Sequence, residues 1–255
     1  MGRPRRFYGC IPDRPDPRDA PYQAPAPGPG GLPARVDLRP GCPGVYDQGE
    51  LNSCTANAIA AALEFLQRKE RLPQVFVPSR LFIYYNERAM EGTIDEDAGA
   101  QIRDGIATVA RQGAPPEGLW PYDANLLTSQ PDAQAYQMAL QNVAILSMRL
   151  AQDLLNLRAC LASGYPFVFG MVVYESFEDE ATVGRTGVVP MPAPGEAVLG
   201  RHAVLAVGYD DAAGRLIVRN SWGKAWGVGG YFTLPYAYAV DAGLAADFWT
   251  IRTVI

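Results

Sequence analysis

The apolar rhythm of this 255-residue chain changes once, near residue 165. Before that point apolar residues recur at helical spacing; after it they gather into short unbroken runs bounded by Gly and Pro. A 3.6-residue period lays one helix face on a core, whereas a short unbroken apolar run suits a strand buried on both faces. The pattern therefore predicts an α+β protein with a helical lobe and a β lobe.

The individual elements follow from local signals. Ser53 reads as an N-cap, and Ala58, Ile59, Ala62, Leu63 and Leu66 share one face behind it, so Cys54 falls in the first turn of a helix. A second helix follows Ser79, with Leu81, Phe82 and Tyr85 inward, and a third runs from about Ala98 to Gln112 with Gly113 as its stop. A last helix from Asp153 to Ala162 precedes a buried strand over Phe167 to Val173. Further strands are expected at His202 to Gly208, Leu216 to Asn220, Gly230 to Leu234 and Phe248 to Val254. Residues 1–31 differ from all of this. Their Pro, Asp, Arg and Gly cannot build a helix or central strand, so they read as an extended arm, and the globular part starts near Leu32.

Composition excludes several function classes. A net charge of -5 leaves no clustered cationic surface for a phosphate backbone, so nucleic acid is not an expected partner. No stretch approaches the length of a membrane span and no secretory leader is visible, which predicts a soluble protein, cytoplasmic by default, with leaderless export left open. Cys10, Cys42, Cys54 and Cys160 are scattered, and with a single histidine no metal-ligand spacing arises, so no metal or cofactor is expected.

That single histidine, His202, fixes the candidate for proton transfer near neutral pH. Cys54 is placed where a helix dipole and free N–H groups favour a thiolate. Taken singly, Cys54 and His202 also read as core residues, Asn220 as a strand cap and Gln48 as part of a surface loop.

Together they form a pattern. Gln48-Gly49, Ser53-Cys54, His202-Ala203-Val204 with Val207-Gly208-Tyr209, and Asn220-Ser221-Trp222-Gly223 with Trp226-Gly227 and Gly230-Tyr231 resemble the papain family of cysteine peptidases. Leu32–Arg39 is similar to that family's mature amino terminus and Trp120-Pro121-Tyr122 to its aromatic-Pro-Tyr segment, so the resemblance covers residues 32–255. It implies a two-lobed fold, a helical lobe over about 44–140 and a barrel-like β lobe over about 141–255 with 32–43, and a cleft between them. It further implies Cys54 as nucleophile, held as a thiolate by His202 and the helix terminus, with His202 as acid and base. Asn220 would orient the imidazole and Gln48 would donate to the oxyanion. Gly99, Gly170, Gly200, Arg201 and Trp222 fall at substrate-contacting positions, and Arg201 reads either as a solvent-facing residue or as one favouring acidic groups.

The chain departs from the family pattern at Leu51, where a disulfide cysteine is usual, and at Thr55, where an aromatic residue is usual. This points to a bacterial-type branch without that disulfide. Asn52 replaces a glycine and is expected to narrow the cleft. Part of residues 7–31, with Phe7, Tyr8 and Tyr22 as anchors, is expected to lie along or beside the cleft and restrain activity, and pairing of Cys10 with Cys54 or Cys42 would make a redox latch. The implied activity is peptide-bond hydrolysis by an endopeptidase acting on peptide or protein substrates. The alternatives are acyl transfer or deamidation by the same Cys–His pair, and a non-catalytic papain-fold binding protein.

Overall fold

A computed structural model describes residues 6–25 and 30–254. The first half carries helices α1 (Cys54–Lys69), α2 (Arg80–Glu91), α3 (Ile102–Arg111) and α4 (Ala133–Ala139). The second half supplies β4 (Ala144–Arg149), β5 (Phe167–Tyr174), β6 (Val198–Asp210), β7 (Arg215–Arg219), β8 (Tyr231–Pro235) and β9 (Ala245–Val254). These strands form an antiparallel sheet in the order β4-β9-β5-β6-β7-β8, and β2 (Arg35–Asp37) adds to β6. Helices α5 (Leu154–Ala162), α6 (Val183–Thr186) and α7 (Tyr236–Val240) connect its strands. Two further short strands, β1 (Cys10–Ile11) and β3 (Ala100–Gln101), pair in parallel as a separate two-stranded sheet, with β1 lying against β5 and β6. No helix among the described residues is long and apolar enough to cross a membrane.

Strand β6 divides two hydrophobic cores. Its Ala203, Leu205 and Val207 face the core built on α1, α2 and α3, while Val204 and Ala206 face the core within the β lobe, the period-two alternation of a strand buried on both sides. An irregularity in the pairing with β7 between Ala206 and Gly208 breaks that alternation, and Tyr209 joins the β-lobe core. Helix α1 differs from the amphipathic helix expected of it, because all its residues from Cys54 to Gln67 are buried. Ala56, Ala58, Ala60, Ala61 and Ala62 let neighbours approach from several sides, and the polar residues caught there are satisfied. Gln67 donates to Asn142 Oδ1 at 3.2 Å and accepts from Phe76 N at 2.9 Å, while Glu64 pairs with Arg68 at 2.6 Å. A buried polar group without such partners would cost about 1–3 kcal/mol.

Three local expectations change. Ser53 stands at the N-cap of α1, but its hydroxyl bonds the Tyr122 hydroxyl instead of a helix N–H. The third helix begins at Ile102, since Ala100 and Gln101 are spent on pairing with the amino-terminal arm. The strand containing His202 runs from Val198 to Asp210, further in both directions than its apolar core suggests.

Gly105 sits where α3 crosses α1 and α2, and a Cβ there would overlap Glu87 Oε1 and Ile59 Cδ1. In an open helix Ala would be favoured over Gly by about 1 kcal/mol; here overpacking reverses the sign. We expect Gly105→Ala to lower the unfolding free energy by about 1–3 kcal/mol, read as a lower urea midpoint with an unchanged slope.

Candidate active site

The start of α1 and the middle of β6 meet at the junction of the two cores. Cys54 is the first residue of α1 and its Sγ accepts a hydrogen bond from Ala203 N at 3.4 Å. His202 lies next to Ala203 on β6, with its side chain on the opposite face. Its Nε2 is 2.8 Å from Asn220 Oδ1, which also accepts from Ser221 N at 2.8 Å. An oxygen accepting from Ser221 N puts the proton on Nε2, leaving Nδ1 as the imidazole's free base nitrogen. Trp222 stacks on the ring at 5.1 Å and walls off the Asn220 side.

Gln48 completes the group. Its Oε1 accepts from Ser221 Oγ at 2.6 Å and its Nε2 donates to Leu51 O at 2.9 Å, so the amide is held from both ends. The second Nε2 hydrogen points to the Phe7 carbonyl of the arm at 3.3 Å. Cys54, His202, Asn220 and Gln48, distant in sequence, are thus brought to one place.

The arm occupies the groove over them. Gly9 O accepts from Ala100 N at 2.8 Å, Gly9 N donates to Cys54 Sγ, and Cys10 and Ile11 pair with Ala100 and Gln101. Gly99, with φ of +81°, packs directly on the Gly9 backbone, where any Cβ would overlap it. A Cβ on Gly170 would come 2.9 Å from Cys10 Sγ, and one on Gly200 would come 2.8 Å from Tyr8 Cβ. Tyr8 lies edge-on to both His202 and Trp222 at 6.0 Å and bonds Glu178. Arg6 sits 4.6 Å over the Trp222 ring and pairs with Glu180 at 2.9 Å. Arg201 is half-buried beside the pocket that receives Cys10, not directed to solvent.

Beneath the arm Cys54 and His202 are each 0% exposed, and this burial bears on their charge. Burial pushes the Cys54 thiol up to about 11, against the pull of the Ala203, Gly9 and Thr55 amides. Burial pushes the His202 imidazole down to about 4, against the Asn220 hydrogen bond that favours its proton. In this closed form burial therefore favours the neutral thiol and the neutral imidazole over the thiolate and imidazolium that the resemblance implies.

Several contributors were not singled out by sequence reasoning. Ser221 orients the Gln48 amide, and Glu178 receives Tyr8. Asp97 takes the backbone and side-chain amides of Asn52, with Asn52 Nδ2 reaching Asp97 O at 2.8 Å. The Asn52 side-chain amide thus ties the loop before Cys54 to the Gly99 loop, while the Asn52 carbonyl and Cβ lie against Gly9 of the arm. Ser221 is adjacent to Asn220 and Asp97 lies two residues before Gly99, whereas Glu178 lies in no motif. The four cysteines are free thiols, and no cluster of three or more His, Cys, Asp or Glu suited to a metal occurs among the described residues.

Comparison with known proteins agrees with this geometry. Residues 32–249 match the model of the papain family cysteine proteases. The chain belongs to that family. An uncharacterised peptidase C1-like protein of Acanthamoeba polyphaga mimivirus is 46% identical over 216 residues, covering 82% of this chain and 69% of that protein. Xylellain, a cysteine protease from Xylella fastidiosa, superposes with a TM-score of 0.90 at 42% identity, over 100% of this chain and 99% of its own. Procathepsin B of Trypanosoma congolense shares the fold with a TM-score of 0.74 at 17% identity, over 98% of this chain and 86% of its own. The family model leaves the arm outside its span.

One buried acid of this papain-family protease lies directly behind Cys54, against its neighbour Thr55. Glu87 on α2 accepts from Thr55 Oγ1 at 2.7 Å, and burial pushes its carboxyl well above the ordinary range. A raised folded pKa favours the native state fully below the unfolded value of about 4.3, and that contribution is lost as pH rises through the folded value. Glu87→Gln keeps the acceptor for Thr55 and cannot ionise. We expect it to match or fall below the wild type in Tm near pH 5 and to exceed it above pH 8, the gap widening with pH in a thermal unfolding series.

Proposed function

We propose that Cys54, His202, Asn220 and Gln48 perform peptide hydrolysis in an endopeptidase, and that the arm holds this constellation closed. The observation that carries the reading is the arm itself. A peptide strand pairs with Ala100, sets one residue against Cys54 Sγ and places a carbonyl on the spare hydrogen of Gln48.

Once the arm leaves, water and an open groove remove the desolvation that keeps the pair neutral. His202 Nδ1 then takes the Cys54 proton, and the thiolate attacks a substrate carbonyl carbon. Negative charge on the carbonyl oxygen is met by Gln48 Nε2 and the Cys54 backbone N–H. The imidazolium gives its proton to the departing amine, and the neutral imidazole then draws a proton from the water that cleaves the thioester. Asn220 holds Nε2–H throughout, so the ring keeps the tautomer that places its base nitrogen on the cysteine side.

Direction explains how a peptide in the groove avoids cleavage. The arm enters by Trp222 and Glu180, crosses Cys54 at Gly9 and leaves past Gly170. A substrate whose leaving group lies on the Trp222 side would run the other way, so the arm presents an N–H, not a carbonyl carbon, to the sulfur. Passage of the arm on both sides of Cys54 also supports endopeptidase action, since the groove admits chain at either end. In a substrate Gly99 and Ala100 would supply the pairing edge, while Gly170, Gly200, Arg201 and Trp222 would line the side-chain positions. The four free cysteines suit the cytoplasmic location expected from the sequence.

Gly9 provides a test within the full chain, because a Cβ there would overlap the Asn52 carbonyl. Overpacking of about 1–3 kcal/mol confined to the docked state shifts the arm toward release by roughly five- to a hundredfold. We expect Gly9→Ala to hydrolyse a mixed fluorogenic peptide library, and to react at Cys54 with iodoacetamide, faster than wild type by a factor in that range. Adding Cys54→Ala should abolish turnover. Equal rates for wild type and Gly9→Ala would refute restraint by the arm, and turnover without Cys54 would refute the mechanism.

A further inference from the structure

The geometry points to Arg201 as a specificity determinant that selects an acidic side chain in the substrate residue immediately before the one whose carbonyl is cleaved. This rests on the endopeptidase reading of the same cleft and goes beyond it by naming the substrate class.

The arm reveals which pocket such a residue enters. Gly9 lies against the Cys54 sulfur, and the next residue, Cys10, inserts its side chain toward Gly170. An extended peptide places successive side chains on alternate sides, so any chain held by Ala100 across Cys54 offers one side chain to this pocket. On the Gly170 side of the sulfur, that side chain belongs to the acyl portion of a substrate. The residue against Cys54 supplies the cleaved carbonyl and its predecessor fills the pocket.

The pocket holds a cation without a counter-ion. Arg201 Nη2 lies 3.8 Å from the position a Gly170 Cβ would take, the same point that Cys10 Sγ approaches to 2.9 Å. Among the charges acting on the Cys10 sulfur, Arg201 is the positive one. Yet among the described residues no carboxylate comes within ion-pair distance of Arg201, and its buried Nε has no hydrogen-bond partner. The acids nearby are committed elsewhere. Asp247 holds Arg149 at 3.1 Å and the Asp13 amide at 3.0 Å, while Asp13 accepts from the Arg103 amide at 3.0 Å and from Trp249 Nε1 at 2.8 Å. Gly170 and the Ala246 carbonyl, 3.6 Å from the same point, carry no charge. A half-buried guanidinium with donors to spare, beside a slot that accepts one side chain, favours Asp or Glu over an apolar or basic group. Cys10 is small and uncharged, so the arm fills the slot while leaving the cation unpaired, which lets an acidic substrate compete with it.

The test uses the full chain carrying Gly9→Ala, so that the arm is displaced, and a library of internally quenched peptides varied at that one position. A charged hydrogen bond gained in the pocket corresponds to roughly ten- to a hundredfold in kcat/KM, so Asp or Glu should exceed Leu by that factor and exceed Lys by more. Arg201→Ala should collapse the ratio of acidic to apolar peptides toward one, and Arg201→Glu should invert it in favour of Lys. In the otherwise native chain, Cys10→Asp should hold the arm more tightly and slow turnover, while Cys10→Lys should speed it. A library profile that favours Leu or Lys, or an acidic preference that survives Arg201→Ala, overturns the assignment while the protease reading stands. Absence of cleavage for every peptide overturns both.

Discussion

Everything in this molecule depends on a helix buried on all sides. Helix α1 starts with Cys54 and runs between the other helices and the sheet, with β6 and β9 packed along it. A helix on the surface could tilt or fray at its first turn, but one enclosed by two layers cannot move its N-terminus without opening both. The same enclosure brings Ala203 N to the Cys54 sulfur and, one residue back along β6, His202 to Asn220 and Trp222. Rigidity of the site is thus a property of the core.

Burial also governs charge. Cys54 and His202 are pushed in opposite directions by one cause, loss of water, and both shifts favour the uncharged partner. In the proposed scheme restraint by the arm is therefore electrostatic as well as steric. The arm covers the groove, and by excluding solvent it also withdraws the medium that would stabilise a thiolate and an imidazolium together. Small residues make the fit possible. Gly9, Gly99, Gly170 and Gly200 lie wherever the arm and the cleft approach within a side chain's width.

The sequence was most legible where local chemistry and tertiary structure demand the same residue. Gln48, Cys54, His202 and Asn220 lie in short motifs whose spacing reflects a loop, a helix start, a strand and the end of the next strand, and the structure brings them together. The strand over Phe167 to Tyr174 was equally clear, because burial on both faces leaves an unbroken apolar run. Less was visible where partners come from far along the chain. Ser53 carries an ordinary capping signature, yet a tyrosine 69 residues away claims its hydroxyl. Glu87 gives no hint of burial until Thr55 and Gly105 surround it. The short helices α4, α6 and α7 are held by tertiary contacts and have too few turns to show a period. Arg201 looked like a surface residue because a strand's alternation does not say which of its faces water reaches.

The tie between Asn52 and Asp97 has a consequence for how this protein ages. It joins the loop bearing the proposed nucleophile to the loop bearing the pairing edge, with Tyr84 bonding Asp97 Oδ1 at 2.5 Å and receiving Gly99 N at 3.0 Å. All of these links are nitrogen-to-oxygen or oxygen-to-oxygen hydrogen bonds. A reductant strong enough to keep Cys54 as a free thiol therefore has nothing to break in the brace that shapes the cleft. Sulfur is left to a single task, and the chemistry that keeps it fresh does not soften the frame around it.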